Sequence, residues 1–107
     1  MILEDCVIRA LSLGLNIPYA KIVLMLDDNS KINCCDSINI NCYEKLLKKL
    51  GYKRIETNNS IKYVALSHPN NILIIRMKGH LTCAIYGCIY DIWDCTKYEA
   101  NCYWIIE

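Results

Sequence analysis

Three side chains frame the chemical question: Cys6, His80 and Asp91. A thiol attacks a carbonyl carbon only as the thiolate. The unpaired N–H groups and partial positive charge of a helix N-terminus favour that anion. Cys6 falls one or two residues inside the start of a helical pattern. Such a nucleophile needs an imidazole within hydrogen-bond reach and a third group to hold the ring.

His80 and Asp91 meet the second and third needs by counting along a hairpin. With Tyr86-Gly87 as a two-residue turn, Ile85 faces Cys88, Ala84 faces Ile89, Cys83 faces Tyr90 and Thr82 faces Asp91. Side chains alternate between faces of a strand, so His80, Thr82 and Ala84 share a face with Ile89, Asp91 and Trp93. His80 and Asp91 are then diagonal neighbours, a separation that a carboxylate and an imidazole bridge. A slip of one residue would turn Asp91 to the other face and bring up Asp94 instead.

The elements that must position these groups follow from periodicity. Glu4 to Leu15 predicts a helix with an acid at its start; Val7, Ile8, Leu11 and Leu15 recur at helical spacing, and Gly14 closes the helix or permits close packing. Pro18 opens a second helix to about Leu26, and Asp27 to Ser37 reads as a polar loop. Asn41-x-x-Glu44 matches a capping box ahead of an amphipathic helix that stops at Gly51. Tyr52 to Glu56 predicts a short strand and Ile61 to Leu66 a short helix before His68-Pro69. Then Ile72 to Met77, Leu81 to Ile85, Cys88 to Trp93 and Asn101 to Ile106 are β-branched or aromatic runs separated by turns. Helices in the first half and an antiparallel sheet in the second make an α+β layout in a single domain, residues 1–107.

Composition narrows the function classes. A 54% hydrophobic and 21% charged chain is that of a folded domain. A net charge of +1 offers no electrostatic handle for nucleic acid or an anionic membrane. Lys45, Lys48 and Lys49 are the solvated face of the third helix. Met1 to Asp5 carries acids where a secretory signal has a basic segment, and the apolar runs are too short to span a bilayer, which points to the cytoplasm. On that reading the eight cysteines are reduced, with Cys83, Cys88 and Cys102 acting as small hydrophobes in strands. Cys34, Cys35 and Cys42 lack the paired Cys-x-x-Cys spacing of a zinc site, so no metal and no cofactor is expected.

The ordered set resembles the papain-like cysteine peptidase superfamily. Asp5-Cys6-Val7-Ile8-Arg9-Ala10-Leu11 is similar to the Asp-Cys opening of the peptidases that process bacteriocins at a double-glycine leader, and of related small bacterial and phage proteins. Gly79-His80-Leu81-Thr82 and Tyr90-Asp91-Ile92-Trp93-Asp94 resemble the His and Asp segments of the phage-type members, and Asp91-Ile92-Trp93 parallels the Asn-Ser-Trp run of papain. The resemblance implies a minimal papain-like fold, a Cys6–His80–Asp91 triad and a peptide or protein substrate cleaved at an amide bond. It departs at one point: the Gln that these peptidases carry about six residues before the nucleophile would precede Met1. Losing one oxyanion donor costs about 10²–10³ in rate.

Plainer readings stand beside these. Cys6 alone would be a buried structural thiol, and His80 beside Gly79 a turn residue. His68, before Pro69, reads as a helix-end or surface residue. Asp91 alone would be a strand-end residue bonding a backbone N–H, and Asp94 with Thr96 a local turn. Trp93 and Trp104 are core aromatics, with Trp93 also a wall over the His80–Asp91 contact. A non-catalytic module on the same fold, a phage or mobile-element factor acting on a host protein, is the alternative function.

Overall fold

In the computed structural model, described over residues 5–92 and 94–106, the chain is α+β. Its elements run α1 (Asp5–Leu15), α2 (Tyr19–Asn33), α3 (Ile40–Lys49), β1 (Lys53–Glu56), α4 (Ile61–Ser67), β2 (Ile72–Met77), β3 (His80–Ile85), β4 (Cys88–Tyr90) and β5 (Cys102–Ile105). The five strands form one antiparallel sheet in the order β1-β5-β2-β3-β4.

β2 is the middle strand, and Leu73, Ile74 and Ile75 are all fully buried, because both faces of the sheet are covered. On one face Ile74, Leu81, Cys83 and Trp104 pack with residues of α1, α2 and α3. On the other, Leu73, Ile75, Met77 and Ala84 pack with α4 and with Cys95 and Ala100 of the last connection. The alternation of one strand thus divides the core in two. α1 lies close on the sheet at Gly14, where a Cβ would fall 2.4 Å from Ile74 Cδ1.

The Tyr86-Gly87 hairpin has the expected register, Ile85↔Cys88, Ala84↔Ile89 and Cys83↔Tyr90. Both turn residues have positive φ, +50° and +85°, the pattern of a type I′ turn that matches the strands' own twist. Gly51, at φ +93°, follows α3 as its expected stop.

Four expectations need correction. α2 does not end near Leu26 but continues through Asp27–Asn33. Its polar residues form a solvent-facing stripe, with a Lys31–Asp27 ion pair at 3.1 Å, while Leu26 and Asn29 turn inward. The cap of α3 is Asn39, not Asn41: its Oδ1 accepts from the Asn41 N–H at 3.0 Å. β4 stops at Tyr90, short of the expected end at Trp93, which itself lies outside the described residues. Finally, Cys35 and Cys42 are joined in a disulfide that ties the turn after α2 to the first turns of α3, so not every thiol is reduced; the other six cysteines are not in disulfides.

Candidate functional site

β3 begins with His80, directly after the Lys78-Gly79 turn, whose glycine takes φ +71°. Beyond the β4 hairpin the chain reaches Asp91, and His80 Nε2 lies 2.6 Å from Asp91 Oδ2. Both side chains are largely enclosed, at 10% and 5% exposure, so their attraction is little screened by water. The other oxygen, Asp91 Oδ1, accepts the Ile92 N–H at 2.8 Å, which fixes the plane of the carboxylate. Burial pushes the Asp91 carboxyl up, but the Thr82 hydroxyl, His80 and the Ile92 N–H outweigh it and hold it below the usual carboxylate range. Thr82 is itself buried and makes no hydrogen bond of ordinary geometry through Oγ1. It sits close enough to Asp91 to act through its dipole.

Cys6 occupies the first turn of α1, where backbone N–H groups have no partner within the helix. Its neighbour Asp5 is engaged by the Arg9 guanidinium one turn on and by the Tyr19 hydroxyl of α2, which hold that acid ionised and turned to them. The thiol packs with the α1-side core at 9% exposure, whereas Cys95, beside Asp91, belongs to the cluster on the α4 side of the sheet. The two sides meet at the edge of β3. Pairing with β4 ends at Cys83↔Tyr90, and there a cavity of about 280 Å³ is lined by Cys6, Arg9, Leu81, Thr82, Asp91 and Ile92 among others. A second cavity of about 260 Å³ is lined by Cys6, Asn39, Tyr43, Arg76, His80 and Leu81 among others. Cys6 and Leu81 are common to both.

The three predicted residues therefore differ in how firmly they are joined. His80 and Asp91 touch through a hydrogen bond; Cys6 meets them across shared cavity walls. Asp94 is occupied elsewhere, its Oδ1 accepting from the Thr96 N–H at 3.0 Å and the Thr96 hydroxyl at 2.6 Å. His68 is remote in role: it ends α4, and its Nε2 lies 3.0 Å from the Tyr103 hydroxyl.

One residue near the site had no signal in the sequence. Cys95 is fully buried, and its Sγ lies 3.7 Å from Asp91 Oδ2. Lying outside every strand, it comes to this carboxylate only because the 95–98 segment folds back onto the start of α4. There Ile61 N–H donates to Tyr98 O and Lys62 N–H to Thr96 O. Burial, with the nearby Asp91 charge, pushes the Cys95 thiol up to about 11, and burial likewise raises Cys83 to about 12. Both are neutral thiols at physiological pH.

Comparison of the chain with family models, with curated proteins and with solved structures finds no match. A functional reading rests on the residues and geometry of this chain.

Proposed function

We propose that this protein is a cysteine hydrolase acting on an amide or peptide bond, built as a minimal papain-like domain with Cys6, His80 and Asp91 as its triad. The observation that carries the reading is the buried His80–Asp91 hydrogen bond, standing at cavities that the first-turn thiol of α1 also lines. Asp91 takes Nε2, so Nδ1 is the ring nitrogen that serves the thiol.

In this mechanism Nδ1 accepts the Sγ proton as sulfur attacks the carbonyl carbon, and the C=O electron pair moves onto oxygen. The tetrahedral intermediate collapses, the C–N bond breaks, and the imidazolium gives its proton to the departing amine. Water, deprotonated by the same nitrogen, then cleaves the thioester and sulfur leaves with the proton. Asp91 stays ionised and steadies the imidazolium; no cofactor is needed. The Cys6 N–H supplies one oxyanion donor. Asn39 is our choice for the second. Its Oδ1 is committed to the Asn41 N–H, which turns its Nδ2 donor elsewhere, and the residue lines the cavity holding Cys6 and His80. The cavities on either side of Cys6 suit the acyl and leaving-group portions of a peptide or protein substrate in the cytoplasm.

The test is the rate at which iodoacetamide alkylates Cys6 at near-neutral pH, read by peptide mapping so that exposed Cys34 and Cys88 are scored separately. Cys6 is expected to react faster than in the denatured chain, and His80→Ala to slow it. If neither holds, the hydrolase reading is wrong.

The 9% exposure of Cys6, set in the core, favours a second reading, a non-catalytic module binding a host protein. Equal capture of one such protein by wild type and Cys6→Ser, without turnover, would support it.

A further inference from the structure

We propose that His80, Asp91 and Cys95 form a binding site for a zinc-class divalent cation, and that filling it withdraws His80 from Cys6. The first half stands on geometry alone; the second rests on the hydrolase reading above. Imidazole nitrogen, thiolate sulfur and carboxylate oxygen are the three donor types zinc takes. Here one of each converges from two stretches of chain, the start of β3 and the connection after β4, with the ligating atoms within 4.8 Å of one another.

The spacing can be compared with a tetrahedral ion. Bond lengths of about 2.0–2.1 Å to nitrogen and oxygen and about 2.3 Å to sulfur place ligand atoms about 3.3–3.6 Å apart. Cys95 Sγ and Asp91 Oδ2 already stand 3.7 Å apart. His80 Nε2 and Oδ2, at 2.6 Å, need to open by about 0.7 Å, a small torsion at either side chain. Asp91 is aimed for the task, because its Oδ1 is held by the Ile92 N–H and Oδ2 is the oxygen that faces both partners. Cys95 is held by the hydrogen bonds of its segment to α4. Asp91 also lines the 280 Å³ cavity, which offers an entry path and room for a water as fourth ligand.

Protons balance as follows. The ion displaces the Cys95 thiol proton to solvent and takes the Nε2 lone pair. From a neutral ring the proton that stood between Nε2 and Asp91 moves to Nδ1; from an imidazolium it leaves to solvent and Nδ1 keeps the proton it already has. A ring bound through Nε2 and protonated on Nδ1 cannot accept the Cys6 proton, so an occupied site is an inactive one.

The experiment uses Co²⁺ as the spectroscopic probe on the full chain, in a Cys34→Ser/Cys88→Ser background that removes the exposed thiols. A thiolate-to-cobalt charge-transfer band with tetrahedral d–d bands is expected, abolished by Cys95→Ser and weakened at least tenfold in affinity by His80→Gln, which spares the buried thiol. It should be unchanged in Cys6→Ser. No band, or a band that survives both Cys95→Ser and His80→Gln, overturns the site. In the second arm, saturating Zn²⁺ should slow Cys6 alkylation at least tenfold in the background protein but not in Cys95→Ser. An unchanged rate beside an intact cobalt band overturns the control of Cys6 while leaving the site standing. A Cys6 that never reacts faster than the denatured chain overturns the hydrolase reading instead.

Discussion

The protein holds two histidines in similar settings, and the contrast between them is instructive. His68 ends α4 and meets the Tyr103 hydroxyl at 3.0 Å, with the two rings 5.3 Å apart. His80 opens β3 and meets the Asp91 carboxylate at 2.6 Å. A phenol orients an imidazole but carries no charge to steady its protonated form; a buried carboxylate does both. His80 also lines a cavity with a thiol. Under the proposed function, partner and cavity, not residue type, separate the structural histidine from the one that transfers a proton.

The comparison can be broken most sharply at the nucleophile. If the chain is the proposed hydrolase, Cys6→Ser should abolish amide hydrolysis, since a serine hydroxyl is a far weaker nucleophile than a thiolate; retained turnover would move the chemistry elsewhere. Next, His80→Ala should lower turnover by about 10³-fold or more, while His68→Ala stays within about twofold. Equal effects would erase the distinction between the two regions. Asp91→Asn should cost about 10²–10⁴-fold through loss of the steadied tautomer, with near-normal far-UV circular dichroism. Asn39→Ala should cost about 10²–10³-fold in turnover beyond its capping loss of about 1 kcal/mol, measured by urea unfolding. Asn39→Ser, which keeps a cap but not the amide donor, separates the two contributions.

The smallest expected effects are in stability against pH. Asp91 is held below its ordinary range in the folded state, so its contribution is present above the unfolded-state pKa of about 3.9. It is lost as pH falls through the lower folded value. Asp91→Asn should remove that part of the acid limb. The buried thiols act in the opposite sense. Cys83 and Cys95, raised to about 12 and about 11, favour folding fully below about pH 8.5 and progressively less as pH climbs toward those values. Urea midpoints at pH 7 and pH 10 should differ accordingly, and by less in Cys95→Ala.

Much of the fold was legible in the chain because it is written in local periods. The Tyr86-Gly87 turn and the β-branched runs beside it determine the register that brings Asp91 beside His80, since a tight hairpin leaves no freedom in counting. The polar run after Leu26 misled, because polarity marks exposure, and a helix with one solvated face is as polar there as a loop. The Cys35–Cys42 bond was equally hidden: seven residues of separation do not say whether two Cβ atoms will face each other.

What the sequence determined by itself is the α+β layout, the placement of Cys6 in a helix's first turn, and the pairing of His80 with Asp91. Each depends on neighbours within about a dozen residues. What only the tertiary structure decided is how α1 sits at the open edge of β3, so that Cys6 shares cavities with that pair, and how Cys95 comes to lie against Asp91. Those relations join segments with no common period. They are set by the packing of two core layers on opposite faces of one sheet.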